Sequence, residues 1–379
     1  MTQTTVWRAP GMPALVGAAV LGFIGFALLL PVAPMWAVHN GADDFGAGSV
    51  NAVLMACTVV AQLSVGLVLR RLRWPVTLAI GLALLGAPAI AHVVAHNLPT
   101  VLLLAALRGL GFGILTVYGV DGIAGLFGHE QRGRAAGAYG LAIAAPQFVL
   151  TPVATWLVHH VGYTPVFVLA TAPLLGVPLA LMFIHPVPRP PTQRGEFRAV
   201  SRGLIGPIGA LVVITAAGGA VITFAPQFGD TTTAFATLLA LTGPATLGRW
   251  LIGGPADRFG AHRFIAPMLC LGVVGLVAIA VGISYSPAVI VVGALLLGLA
   301  YGGLQNLTLV QALAASGGQS RGAVSAAWNI GFDGGTGLGA LVAGALATSG
   351  SFPVAFAVLA AACAVMALVW SWVGRQGAV

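Results

Sequence analysis

The sequence predicts an all-α membrane protein of twelve transmembrane helices in two pseudo-symmetric six-helix bundles. Three observations carry this. Charged residues make up 6% of the 379 and hydrophobic ones 59%, whereas a soluble domain carries about 25% charged residues. Apolar runs of about 20 residues, each enough to cross a bilayer, recur along the whole length. Arginine alternates from loop to loop, as the excess of positive charge in cytoplasmic loops requires.

The apolar runs lie at 13–37, 47–69, 75–95, 99–127, 135–158, 163–185, 204–226, 233–254, 264–284, 288–315, 323–348 and 352–373. The first is too long for a signal peptide, and no small-residue cleavage site followed by a soluble domain appears, so it reads as a span. The loops are short. The longest, Pro186 to Gly203, is rich in Pro and Arg. It divides the chain into an N-terminal bundle (1–185), a cytoplasmic linker (186–203) and a C-terminal bundle (204–379).

Of the 16 Arg, 14 fall in alternate loops and tails, among them Arg8, Arg70, Arg71, Arg73, Arg132, Arg134, Arg258, Arg263, Arg321 and Arg375. The opposite loops hold Asp43, Asp44 and Asp230 and no Arg. Both termini are therefore expected in the cytoplasm, on a multi-pass protein of the cytoplasmic (inner) membrane. An odd number of spans would break the alternation. The net charge of +8 then belongs with the membrane surface and does not indicate nucleic acid. Cys57, Cys270 and Cys363 all fall in apolar runs and read as small core residues.

The halves repeat weakly. Gly66 and Gly253 open equivalent loops 187 residues apart, while Gly109-Leu-Gly-Phe-Gly matches Gly298-Leu-Ala-Tyr-Gly and Arg132-Gly133 matches Arg321-Gly322, both 189 apart. Internal repeats of this kind are common in secondary transporters.

The stretch Gly253-Gly254-Pro255-Ala256-Asp257-Arg258-Phe259-Gly260-Ala261-His262-Arg263 packs an acid and two Arg into a Gly-rich turn between apolar runs. It resembles the loop signature of the major facilitator superfamily, matching at Gly253, Asp257, Arg258, Gly260 and Arg263. With the repeat and the linker, the resemblance covers essentially the whole chain. It implies a transporter working by alternating access, similar to the drug/proton antiporter branch. It also implies that the loop acid latches against a helix N-terminus of the other half, near Gly133 to Ala136. The equivalent N-half loop carries Arg70 where the acid would stand.

Intramembrane carboxylates are costly and mark function by default. Of the eight acids, Asp121 and Asp333 lie inside spans. Asp333 sits near the middle of the eleventh, in a stripe with Ser325, Asn329 and Thr336 at helical spacing and Trp328 beside it. It is the expected proton-coupling residue, against a structural acid bonded to a neighbouring helix. Asp121 stands between two readings, a second titrating site or a partner of the loop that follows. Arg108 lies 13 residues before Asp121, about 20 Å along the helix axis, so the two cannot pair. Aligned on its glycines, the fourth span puts Ala105 where proton-coupled facilitators carry Arg.

Met55 and Gln62 in the second span, with Asn51 and Thr58, and Tyr301, Gln305 and Asn306 in the tenth, with Thr308, are further candidates for the cavity wall. The expected substrate-binding set is Gln62, Met55, Arg108, Tyr301, Gln305, Asn306, Trp328 and Asn329. Packing between helices is the competing role for such residues. His39, His92, His96, His159 and His160 read as interfacial residues, and no metal or cofactor is expected.

No clustered nucleophile or metal motif suggests an intramembrane enzyme, and no nucleotide-binding motif suggests ATP as the energy source. The resulting expectation is a monomeric secondary transporter whose partners are protons, lipid and a small-molecule substrate. Proton-coupled efflux of small amphipathic compounds leads. A proton symporter or facilitator importing a small organic metabolite is the alternative.

Overall fold

The computed structural model describes residues 11–68, 72–127, 129–182, 202–315 and 321–376. These residues are all-helical, and twelve segments are long and apolar enough to cross a membrane. The first five spans are α1 (Met12–His39), α2 (Asp44–Val68), α3 (Trp74–Ala91), α4 (Leu98–Leu126) and α5 (His129–Val161). The sixth is divided into α6 (Tyr163–Leu169) and α7 (Pro173–Leu181). There follow α8 (Arg202–Phe224), α9 (Thr231–Leu251), the short α10 (Gly253–Phe259), α11 (His262–Tyr285), α12 (Pro287–Ala314), α13 (Arg321–Ser349) and α14 (Phe352–Gln376).

Local chemistry accounts for many of the ends. Asn97 caps α4 by accepting from the Thr100 N–H at 3.0 Å, and Asp230 caps α9 by accepting from the Thr233 N–H at 2.8 Å, each satisfying an orphan donor of the first turn. The sixth span breaks at 170–172, just before Pro173, which has no N–H to continue the helical ladder.

The stretch expected to be a Gly-rich turn is instead the helix α10. Pro255 sits in its first turn, where a missing N–H is tolerated. The turn comes at its end, where Gly260 adopts φ +88°, a conformation that disfavours other residues.

Within the first six spans α2 and α3 pack on α4, α1 on α5, and α3 on α7. The same pairings recur six spans later: α9 and α11 pack on α12, α8 on α13, and α11 on α14. Two seams join the sets, α2 against α13 and α5 against α9.

The α2–α13 seam is closed by backbone approach. A Cβ on Gly48 would strike the Ala340 carbonyl, and one on Gly344 the carbonyl of Asp44. Small residues at such a crossing let two helices touch in lipid, where no hydrophobic force pushes them together. The Phe45 N–H donates to Thr348 Oγ1 at 2.9 Å at the Asp44 end of the seam. Further along, Asn51 Nδ2 donates to the Leu30 carbonyl and to Thr223 Oγ1, both at 2.9 Å, tying α2 to α1 and α8.

Candidate functional site: a cavity between the two helix sets

Between the seams lies a cavity of about 510 Å³, within the size range of small-molecule sites. Its floor on the N-terminal side is aromatic. Phe26 and Phe112 stack with ring centroids 3.8 Å apart and planes 4° apart, and Phe23 meets Phe112 edge-on at 5.4 Å. Met55, Thr116 and, from α5, Gln147 and Phe148 continue that wall.

The C-terminal wall is polar. Asp333 lines it and is only 5% exposed. Its Oδ2 accepts from Gln62 Nε2 at 2.6 Å, and the same amide donates to Thr116 Oγ1 at 3.2 Å. Gln62 therefore bridges α2 and α4 to α13, reaching Asp333 from the other helix set. Tyr301, Gln305, Asn306, Trp328 and Asn329 also line the cavity. Trp328 Nε1 donates to Thr308 Oγ1 at 3.1 Å, and its ring stacks on Phe332 at 5.7 Å. Both contacts hold the indole in place.

The expected stripes divide by role. Asn329, Asp333 and Thr336 share one face of α13 and line the cavity together. In α2 only Met55 does so. Asn51 is spent on the junction with α1 and α8, and Thr58 bonds the carbonyls of Leu54 and Gly109 at 2.9 and 3.1 Å. Gln62 reaches the site through Asp333 and is not itself in the wall.

Arg108 departs from its expected place. It is 0% exposed and does not line the cavity. It lies one turn from Phe112 on the same helix face. None of its three guanidinium nitrogens has a hydrogen-bond partner among the described residues. His92 lies within its electrostatic reach and offers an unpartnered Nε2. The side chain of Asp121 lies outside the described residues.

Sequence reasoning missed Arg249. It lies inside the eighth span and lines the cavity, and its carbonyl accepts from Asn306 Nδ2 at 2.8 Å. The signal was present in the spacing: Thr242, Ala245, Thr246 and Arg249 fall on one helical face. Gln147 and the phenylalanine floor were missed as well, because phenylalanines do not stand out in apolar runs and Gln147 has no polar residue one helical turn before it in the span.

In the loop region, Asp257 is exposed and makes no hydrogen bond or ion pair among the described residues. The Arg258 guanidinium lies 5.0 Å from the Phe259 ring centroid. Gly253 opens α10, and Arg263 lies in the first turn of α11. Arg70 and the side chains of 133–136 lie outside the described residues. No group of His, Cys, Asp or Glu among the described residues could hold a metal ion.

The sequence family described as the Major Facilitator Superfamily matches residues 15–316 and, in a second match, 197–377. No curated protein matches the chain. Solved structures do. The crystal structure of the nucleoside transporter NupG is 12% identical over 96% of this chain and 98% of that one, with a TM-score of 0.74. The inward-facing, occupied structure of a bacterial homologue of the human lysosomal transporter Spinster is 14% identical over 98% of each chain, with a TM-score of 0.78. At these identities the likeness concerns the fold.

Proposed function

The chain belongs to the Major Facilitator Superfamily, and we propose that it is a proton-coupled secondary transporter of small amphipathic organic compounds, with Asp333 as the coupling carboxyl. One observation carries the reading. Asp333 is buried in the cavity wall and is hydrogen-bonded by Gln62 from the opposite helix set. A carboxylate out of water costs several kcal/mol unless paired. Its charge state therefore bears on both the occupancy of the cavity and the closure of the seam that Gln62 spans. Proton binding and alternating access meet at one atom.

In this reading residues 1–185 and 204–379 move against one another as bodies, joined by the linker at 186–203. The protein acts as a monomer in the cytoplasmic membrane with both termini inside. The aromatic floor takes the apolar part of the substrate, and the amides of the opposite wall take its polar part. Asp257 serves as a latch when the cytoplasmic side closes.

Export by antiport and uptake by symport are both open to such a device. Export rests on the resemblance to drug/proton antiporters. Uptake is supported by Arg249, since a guanidinium on the cavity wall opposes the lipophilic cations that an exporter of that kind would carry.

Reconstitution into proteoliposomes with and without a pH gradient tests the reading. Wild type should move substrate in response to the gradient. Asp333→Asn should fold, retain some exchange and lose gradient-driven transport. Full gradient-driven transport by the variant would end the assignment.

A further inference from the structure

We infer that the substrate is an organic anion carrying a planar apolar body, and that it crosses together with a proton. The inference rests on the proton-coupled reading above and adds the charge of the cargo and the sign of the coupling.

The first ground is the state of Arg249. Of the described residues lining the cavity, Arg249 and Asp333 are the charged ones. They form no ion pair with each other, and Asp333 Oδ2 is already held by Gln62. The Arg249 guanidinium has no hydrogen-bond or ion-pair partner among the described residues, although it offers five N–H donors in a planar fork suited to a carboxylate or phosphate. A guanidinium near a helix end often reaches for the membrane surface instead. Here Arg249 is exposed and shares the cavity lining with Thr242, Ala245 and Thr246 of the same helical face.

The second ground is the opposite wall. The stacked Phe26–Phe112 pair presents an apolar surface with no charge. A ligand that fills both walls has an acid at one end and a flat apolar body at the other.

The coupling follows from the charges. Tyr301 on α12 lies within electrostatic range of both Arg249 and Asp333. Among the described residues Tyr301 is the titratable group in range of Asp333, and Arg249 lines the same cavity from α9. From α2 Gln62 faces it, and among the described residues α8 and α14 bring no charged side chain to it. An anion seated on Arg249 is repelled by a charged Asp333 and is not repelled once that carboxyl carries a proton. Anion and proton therefore strengthen each other's binding, and by linkage the effect is reciprocal. A cation would compete with the proton, which is the antiport sign. One proton with one monoanion moves no net charge, so this cotransport should ignore membrane potential.

The test uses the full-length protein in lipid nanodiscs with three probes of one shape: naphthoate, naphthamide and naphthylmethylammonium. Wild type should bind naphthoate most tightly. Its affinity should rise by up to about tenfold per unit as pH falls from about 8 to about 6, the limit for one linked proton. Naphthoate stays ionised throughout, since carboxylates titrate near 4. Arg249→Gln should lose the preference over naphthamide, about tenfold or more, and Arg249→Lys should keep part of it. Asp333→Asn should bind naphthoate independently of pH.

No preference for naphthoate, or naphthoate binding that weakens as pH falls, would overturn the inference. If the ammonium binds best while Asp333-dependent, gradient-driven transport persists, the anion inference falls and the proton-coupled reading stands. If Asp333→Asn leaves gradient-driven transport intact, that reading falls and takes the cotransport with it.

Discussion

The two walls of the cavity differ in kind. The N-terminal helices contribute Phe23, Phe26, Phe112 and Met55, with Gln62, Thr116, Gln147 and Thr151 as polar groups near or in the site. Arg108 of the same helices is buried and does not line the cavity. The C-terminal helices contribute Arg249, Tyr301 and Asp333. Spans paired by the internal repeat thus share packing partners but not chemistry. The difference teaches that a repeat constrains the helix contacts, where small residues must meet, and leaves the cavity faces free to specialise. In our reading one half is a platform and the other carries the charges.

Gln62 joins the N-terminal helices to Asp333 in the opposite wall, and the loss of this contact should have the largest effect. A hydrogen bond to a charged group is worth about 1.5–3 kcal/mol. Gln62→Leu should therefore weaken closure of the α2–α13 seam about tenfold or more when Asp333 is charged, and by less when it is protonated. Distances between spin labels on α2 and α13 across a pH series would report this. A distribution identical to wild type at every pH would mean that the walls are not coupled through this pair.

Removing half of the platform comes next. Phe112→Ala should raise the KM for an aromatic substrate by about tenfold, equivalent to about 1.4 kcal/mol, and leave the number of protons moved per substrate unchanged. A change in that ratio would show that the N-terminal wall takes part in coupling after all.

The smallest effect concerns the loops at Arg70 and Asp257, cytoplasmic in our reading, where the halves also differ. A carboxylate at a helix N-terminus contributes about 0.3–2 kcal/mol, and Arg70 stands where the N-terminal loop would need that acid. Asp257→Asn should shift the population a few-fold toward the form open to the cytoplasm, and Arg70→Ala should shift it little or the opposite way. Labels at the cytoplasmic helix ends would decide it. Opening by Arg70→Ala with no response to Asp257→Asn would reverse the assignment.

The sequence by itself determined the solvent, the number of spans and the residue to suspect first. Those follow from local facts: bilayer thickness sets the run length, and an acid inside such a run is too costly to be incidental. Asp333 and its stripe on α13 were legible because polar residues on an apolar helix mark its face. Only the tertiary structure decided which polar residues line the cavity and which are spent on packing. Asn51 and Thr58 looked like Gln62 in the sequence, yet they bond neighbouring helices. Arg108 and Arg249 were two arginines in spans, and one is sealed away while the other opens on the cavity. The phenylalanine floor left no trace at all. In a membrane, lipid is as apolar as a helix interface, so hydrophobic patterning cannot tell a residue that faces lipid from one that faces another helix or an apolar cavity wall. That choice is made when the helices pack.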